Sequence, residues 1–215
     1  MCHSRPRATD LAAAISGENS SLSAGGGRGV SEPLVLRSPR LLLRQLCRDD
    51  AAAIVAYRSR PEVARFQSWE SFGRADADQL IADQARVVPD TSGTWLQLAL
   101  VLAESEAVIG DCGIHFRADD SRQVELGITL DTERQRQGLA AEALGRVLEY
   151  VFGRLGKHRA SAVTDAANHA AARLFRRLEF RQEAHYLENA WFKGAWGSEL
   201  VFALLRREWE HRRGA

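Results

Sequence analysis

Cysteine is scarce in this chain: Cys2, Cys47 and Cys112 are the only three among 215 residues. An odd number without paired spacing excludes a disulfide framework and matches no zinc-binding pattern, so no metal is expected and a reducing, cytoplasmic setting fits best. A dominant charge is missing too. Lys and Arg number 29 against 28 Asp and Glu, a net charge of +1, so the broad basic field that nucleic-acid binding draws on is absent. A nucleic-acid reading would rest on scattered arginines, and the one basic cluster, "RREWEHRR" near the C-terminus, reads as a solvated helix. No apolar run approaches the ~20 residues that span a bilayer, so neither nucleic acid nor membrane is expected as a partner.

The first thirty residues lack apolar periodicity. "AAAISGENSSLSAGGGRG" offers Ala, Ser and Gly, which bury too little surface to offset the entropy of ordering. Residues 1–30 are therefore expected to be a disordered tail, or to precede a native start near Val30, and Leu11 to Ile15 is too short for the apolar region of a signal peptide. Residues 31–215 suffice for one core and are short for two, so one domain is expected there.

What is present is patterned. "LVLRSPRLLLRQL" (34–46) alternates in part and is broken by Pro39, as an edge strand would be. "DDAAAIVAYRS" (49–59) and "RADADQLIADQARVV" (74–88) have helical spacing, with the aromatic-rich "EVARFQSWESFG" between them. Three strands follow, "TWLQLALVLA" (94–103), "AVIGDCGIHF" (107–116) and "QVELGITL" (123–130), joined by turns of hairpin length. "GLAAEALGRVLEYVFGRL" (138–155) is an amphipathic helix, "RASAVT" (159–164) a strand, and "NHAAARLFRRLEF" (168–180) a helix opened by Asn168, a favoured N-cap. Two alternating stretches, around "RQEAHYLENAW" and "WGSELVFALL", close the chain. This order predicts an α/β (α+β) chain with about seven strands, mostly antiparallel, and about four helices.

"RQRQGLAAEAL" (134–144) raises a chemical question. A helix start presents N–H groups without intrahelical partners and a partial positive charge, and a glycine there lets an anion approach the main chain. Gln135, Arg136 and Gln137 would add polar and cationic contacts. Glycine at a helix start is common, however, so spacing alone leaves an anion site and a plain bend both open.

Gln135, Gly138 and Ala140 match the Q/R-x-x-G-x-G/A motif of the GCN5-related N-acetyltransferases (GNAT), placed between a strand and a helix as in that family. "SPRLLLRQLCRDDAAAI", "VIGDCGI", "ELGITL", "GLAAEAL", Asn168 and the closing "EW" resemble the RimJ/RimL branch, and the resemblance runs from about Leu34 to Trp209. It implies the GNAT fold and an acetyltransferase that carries the acetyl group of acetyl-CoA directly to a primary amine, either a protein N-terminus or a small molecule. The same resemblance implies that Gln135, Arg136, Gln137, Gly138, Leu139 and Ala140 cradle the pyrophosphate. It further implies that Ile128, Thr129 and Leu130 pair with the pantetheine arm like an added strand, and that Asn168 contacts that arm. A homodimer is left open.

Transfer to an amine needs a base, because a protonated amine has no lone pair. Alternation along 123–130 puts Glu125, Gly127 and Thr129 on one face, and a glycine beside a carboxylate leaves room for substrate. Glu125 is the candidate base; the competing reading is an exposed strand residue. If 107–116 pairs through the turn at 117–121, Asp111, Gly113 and His115 share that face in a polar patch. His115 reads more readily as a surface or hydrogen-bonded residue, Asp111 equally as a group that fixes a turn or bonds a backbone amide, and Cys112 as core. Phe66, Trp69, Phe72, Trp191, Phe192 and Trp196 either line an acceptor pocket or pack, and Trp209 reads as core.

The sequence departs from the branch at three places. Ala171 stands where relatives often carry Ser, which removes the expected proton donor to the leaving thiolate and leaves Tyr186 or water. Glu179 stands where "LGF" would have Gly, so the helix is expected to end differently. Ser198 replaces a frequent Asp. The first departure keeps a second reading alive, a catalytically idle CoA-binding module.

Overall fold

Residues 34–213 are described by the computed structural model, and the tail expected at 1–30 lies outside the described residues. Pro39 decides how the sheet begins. It cannot donate to a ladder, so the single strand expected over 34–46 folds back as two, β1 (Val35–Arg37) and β2 (Leu41–Gln45), with Ser38 N–H closing the turn on Leu41 O at 2.9 Å. The helices α1 (Ala51–Arg58), α2 (Pro61–Ala64) and α3 (Arg74–Gln84) come next. β3 (Trp95–Leu102), β4 (Val108–Phe116) and β5 (Gln123–Leu130) form the expected meander, and α4 (Leu139–Leu148) continues as a π-helical turn to Arg154. The chain ends with β6 (Arg159–Asp165), α5 (His169–Arg177), β7 (Arg181–Phe192), β8 (Ala195–Leu205) and α6 (Arg206–Arg213).

All strands join one sheet in the order β1-β2-β3-β4-β5-β6-β8-β7. Every neighbouring pair is antiparallel except β5 and β6, which run parallel. The described residues thus hold eight strands and six helices, against about seven and four expected. The extra strand is the break at Pro39; the extra helices are the single turn α2, with Pro61 at its first position, and α6, the basic segment that reads as a solvated helix but stood outside the count of about four. Among these helices none is long and apolar enough to cross a membrane.

Period-two alternation gives the sheet two apolar faces. On one, Leu96, Leu98, Cys112, Ile114, Val124 and Leu126 pack beneath α4 and α5. On the other, α1 and α3 bury Ile54, Tyr57, Leu80 and Ile81 against Ala99 and Val101. Cys112 is fully buried, as read from the sequence, and burial with the nearby Asp111 charge pushes its thiol pKa up. Trp209 packs against the first core with its ring centroid 5.6 Å from that of Phe152.

Two expectations need correction. α5 ends as it would with glycine: Glu179 takes φ 61°, its N–H reaches Arg176 O at 2.9 Å, and Phe180 N–H reaches Phe175 O at 3.0 Å. This is the Schellman pattern with its hydrophobic contact, the Phe175 and Phe180 rings lying 5.4 Å apart. The left-handed backbone costs about 1 kcal/mol for a residue with a Cβ, and the Glu179 carboxylate, on the surface, pairs with Arg212 at 2.9 Å.

Asp111, the second, is no member of an open polar patch. It is 1% exposed and accepts from Arg58 Nη2 at 2.9 Å and Nε at 3.1 Å, and from Tyr57 Oη and Gln97 Nε2. The Arg58 guanidinium lies 4.6 Å from the centroid of Trp69 and 5.0 Å from that of Phe72, so those two aromatics pack instead of lining a pocket. A buried cation stripped of its partner is costly, and Asp111→Ala is expected to lower unfolding stability by about 3–5 kcal/mol in urea titration.

Candidate active site

β5 and β6 are paired only from Gln123 and Arg159 to Glu125 and Ser161. Beyond that point β5 keeps β4 on one edge, while β6 keeps β8 on its own far edge. The opening between them leads into a cleft of about 540 Å³. Its walls include Ile128, Thr129, Leu130, Gln135, Arg136, Gly138, Leu139, Ala140 and Asn168, nine of the ten residues read from the sequence as cofactor contacts; Gln137 is not among them.

The loop from β5 to α4 is held from within. Asp131 Oδ1 accepts from Glu133 N–H at 3.2 Å, and Arg60 donates to Thr132 Oγ1 at 3.0 Å and Glu133 Oε1 at 2.8 Å. The amide of Gln135 donates to Leu130 O at 3.1 Å and that of Gln137 to Glu133 O at 3.0 Å, so both side-chain amides brace the loop. Arg40 donates to Gln137 O at 3.0 Å and pairs with Glu142 at 2.7 Å, tying the β1–β2 turn to the first turn of α4.

Arg136 and Gly138 both take positive φ, 61° and 79°, and together they turn the main chain into the helix. The first intrahelical bond of α4 runs from Glu142 N–H to Gly138 O at 3.1 Å, so the N–H groups from Gly138 to Ala141 have no partner within the helix. Arg134, Arg136, Arg173 and Arg177 stand on the walls of the same cleft. Arg173 and Arg177 were missed, although their spacing of four on α5, in line with Ala170 and Leu174, carried the signal.

On the opposite side of the opening, register sets a row of facing pairs: Asp111 with Thr129, Gly113 with Gly127, and His115 with Glu125. The shared face expected from alternation is present, but Glu125 is no exposed strand residue. It is 9% exposed, and its Oε1 is buried without a hydrogen-bond partner. Burial pushes its carboxyl up to about 7, opposed by the Arg117 charge and supported by Glu199. His115 stacks on Trp95 at 4.7 Å, and burial followed by the Arg117 charge lowers its pKa.

Of the six aromatics considered for an acceptor pocket, Phe66 lines the cleft, while Trp191 and Trp196 are exposed on the β7–β8 hairpin. The tip of that hairpin is the two-residue turn Lys193-Gly194, both at positive φ. Lys193 Nζ donates to Ala64 O and Trp69 O, each at 2.7 Å, and so pins the hairpin to the loop after α2. Ala171 lines the cleft without a hydroxyl, and Tyr186, half exposed on β7, does not line it.

Residues 40–181 match a family model described as "Acetyltransferase (GNAT) domain". The chain is 31% identical over 150 residues to an uncharacterized N-acetyltransferase, YoaA, of Bacillus subtilis (strain 168), covering 69% of this chain and 84% of that one. In structure it resembles a spermidine N-acetyltransferase from Vibrio cholerae in complex with CoA and spermine, at 20% identity and TM-score 0.69, over 80% of this chain and 99% of that one. It also resembles the ribosomal-protein-S5-alanine acetyltransferase from Vibrio fischeri, at 16% identity and TM-score 0.67, over 82% and 98%.

The buried Glu125 has a consequence for folding that needs no substrate. An acid whose folded-state pKa is raised contributes stability that is fully present below its unfolded value near 4.5 and is lost as pH rises through about 7. Glu125→Gln is therefore expected to match the parent in thermal unfolding at pH 4 and to melt several degrees higher at pH 8.

Proposed function

The chain belongs to the GNAT acetyltransferase family, and from that premise we propose that it transfers the acetyl group of acetyl-CoA directly to a primary amine, with Glu125 as the base. The observation that carries this reading is the position of Glu125: a buried carboxyl with one unpartnered oxygen, at the last residue of β5 that is paired with β6.

The cleft fits the cosubstrate in its chemistry. A pyrophosphate needs N–H donors and positive charge, and the unpartnered N–H groups at the start of α4 stand beside Arg134, Arg136, Arg173 and Arg177. An extended arm rich in amides needs a strand edge, which β5 offers from Ile128 to Leu130. Asn168 lines the same cleft, with its Oδ1 accepting from Ala171 N–H at 3.1 Å. Bound there, acetyl-CoA supplies an acyl group on a thiol leaving group.

The remaining work falls to the protein's own residues. Glu125, with its pKa near 7, is ionised for part of the population at neutral pH and takes one proton from the incoming ammonium. The freed nitrogen lone pair forms the new C–N bond as the C–S bond breaks, the electron pair leaving on sulfur, and the extra proton on nitrogen passes to that thiolate, directly or through water. A main-chain N–H on the open edge of β5 is suited to hold the carbonyl oxygen as charge builds on it, without reorganisation. With Ala171 at the usual donor position, no side chain is assigned as proton donor to the sulfur.

Spermidine and alanine, which the names of two structural relatives carry, each offer a primary amine. Thiol release from acetyl-CoA against a panel of peptides beginning Ala, Ser and Met and of small amines tests the reading. The expected outcome is turnover whose kcat/KM rises with pH through an inflection near 7, and a Glu125→Gln variant about 10²-fold slower that lacks that inflection. Binding of acetyl-CoA without thiol release on any acceptor would favour the idle module instead.

A further inference from the structure

The β7–β8 hairpin overshoots the rest of the sheet. The last pair between β6 and β8 is Asp165 with Glu199, whereas β7 and β8 stay paired out to Phe192 with Ala195. From Gly197 to the tip, β8 therefore has β7 alone among the described strands as its partner, and a two-stranded ribbon is marginally stable by itself. The rings of Trp191 and Trp196 meet edge to face at 5.5 Å and brace its outer end. Lys193 fastens its tip.

Backbone preference argues against lysine at that tip. A two-residue hairpin turn with both residues at positive φ favours Asn-Gly, Asp-Gly or Gly-Gly, yet Lys193 takes φ 48° beside Gly194 at 80°. Its side chain does what none of those could. The one ammonium donates to Ala64 O and to Trp69 O, each at 2.7 Å, and so bridges the two ends of the loop 64–69 that leads out of α2. Ala64 O also accepts Gln67 N–H at 2.9 Å, and the buried Trp69 rests its indole N–H on Arg58 O at 3.0 Å. A charged donor between two carbonyls draws the loop together as a bound cation would.

Phe66 and Gln67 form the crown of that loop. Both line the cleft, and both line a small recess that adjoins it and reaches Gln97, Gly113 and Gly127. Gln67 Nε2 extends to Thr129 Oγ1 at 3.4 Å, on the strand edge suited to the extended arm of the cosubstrate. Ahead of the loop, α2 lines the cleft through Glu62 and Val63, and its leading end is tied by Arg60 to Asp131 at 3.2 Å and to Glu133 at 2.8 Å. A single helical turn cannot hold its place by its own hydrogen bonds. The wall that faces α4 and α5 thus owes its position to the burial of Val63 and Ala64 and to two cations, Arg60 at one end and Lys193 at the other.

We propose that Lys193 is a positioning residue for the cosubstrate: its ammonium clasps the loop 64–69, and the clasp sets Phe66 and Gln67 as the wall that retains acetyl-CoA in the cleft. This rests on the reading of the cleft as the acetyl-CoA site. It gives the hairpin a part in binding at a distance, since no described residue of β7 or β8 lines the cleft itself.

Stopped-flow dissociation of acetyl-CoA and amide hydrogen exchange, on the full chain with Lys193→Met and Lys193→Arg beside the parent, test the inference. Methionine approaches the lysine side chain in reach and lacks its charge and N–H donors, whereas arginine keeps both. Lys193→Met is expected to release acetyl-CoA about 10-fold faster than the parent, the size of one charge-assisted hydrogen bond at a site partly open to water, and to raise the KM for acetyl-CoA with kcat no lower than the parent's. Exchange of the amides in 64–69 should quicken while that of β3 to β5 stays at the parent's level, and Lys193→Arg should recover most of both effects. An unmoved dissociation rate in Lys193→Met, with or without faster exchange in 64–69, would overturn the assignment and leave the cleft reading intact. Exchange that quickens throughout the sheet would overturn it too, as the mark of general support to the fold. Failure of the parent itself to bind acetyl-CoA would overturn the reading of the cleft, and this inference with it.

Discussion

Strands β5 and β6 share a parallel ladder of three residue pairs and then part, inside a sheet that is otherwise continuous from β1 to β7. Main-chain groups at such a break lose their ladder partners, and a fold that keeps the break must supply something else for them or leave them to a ligand. Here the break creates both halves of the site. The cleft runs along the edge of Ile128 to Leu130, between α4 and α5 on one side and Glu62, Val63, Phe66 and Gln67 on the other; the adjoining recess reaches the paired glycines, and Glu125 lies buried at the last ladder pair.

The surroundings stiffen that opening from three directions. Arg40 and Glu142 fasten the β1–β2 turn to the start of α4, Arg60 braces the loop ahead of that helix, and Lys193 draws the β7–β8 hairpin against the segment after α2. Beneath them the Arg58 and Asp111 pair is locked among Tyr57, Gln97 and two aromatic rings. A buried pair of this kind adds little net stability, but it holds Gln97 in one orientation beside the recess. Charge is distributed to match: four arginines gather on the cleft of a chain whose net charge is only +1, while the carboxylates Glu125 and Glu199 lie near enough on the other side for their charges to interact.

Much of this was legible in the sequence where a periodicity or a motif coincided with an element. Alternation in "QVELGITL" put Glu125, Gly127 and Thr129 on one face, and the observed register pairs them with His115, Gly113 and Asp111. The glycine of "QRQGLA" marked the turn into α4. What was not legible depends on contacts distant in sequence. Nothing near Asp111 announces Arg58, 53 residues away. Gln135 and Gln137 look like ligand contacts until the loop closes and their amides find carbonyls four or five residues back. The backbone preference of Glu179 argues against a glycine-like cap, while the Phe175–Phe180 contact that closes the cap forms only in the folded core. The burial of Glu125 is likewise a property of the assembled sheet, hairpin and helices, and no local pattern encodes it.

Base catalysis at this site turns on one quantity, the proton affinity of the Glu125 carboxyl. Side-chain carboxyl NMR of the glutamate-labelled protein, with the Glu125 signal assigned by its loss in Glu125→Gln, measures it without substrate or acceptor. A titration midpoint near 7 is the predicted result. A midpoint near the ordinary glutamate value of about 4.3 would mean that the carboxyl is solvated, and would contradict the claim that the parting of β5 and β6 builds a buried base.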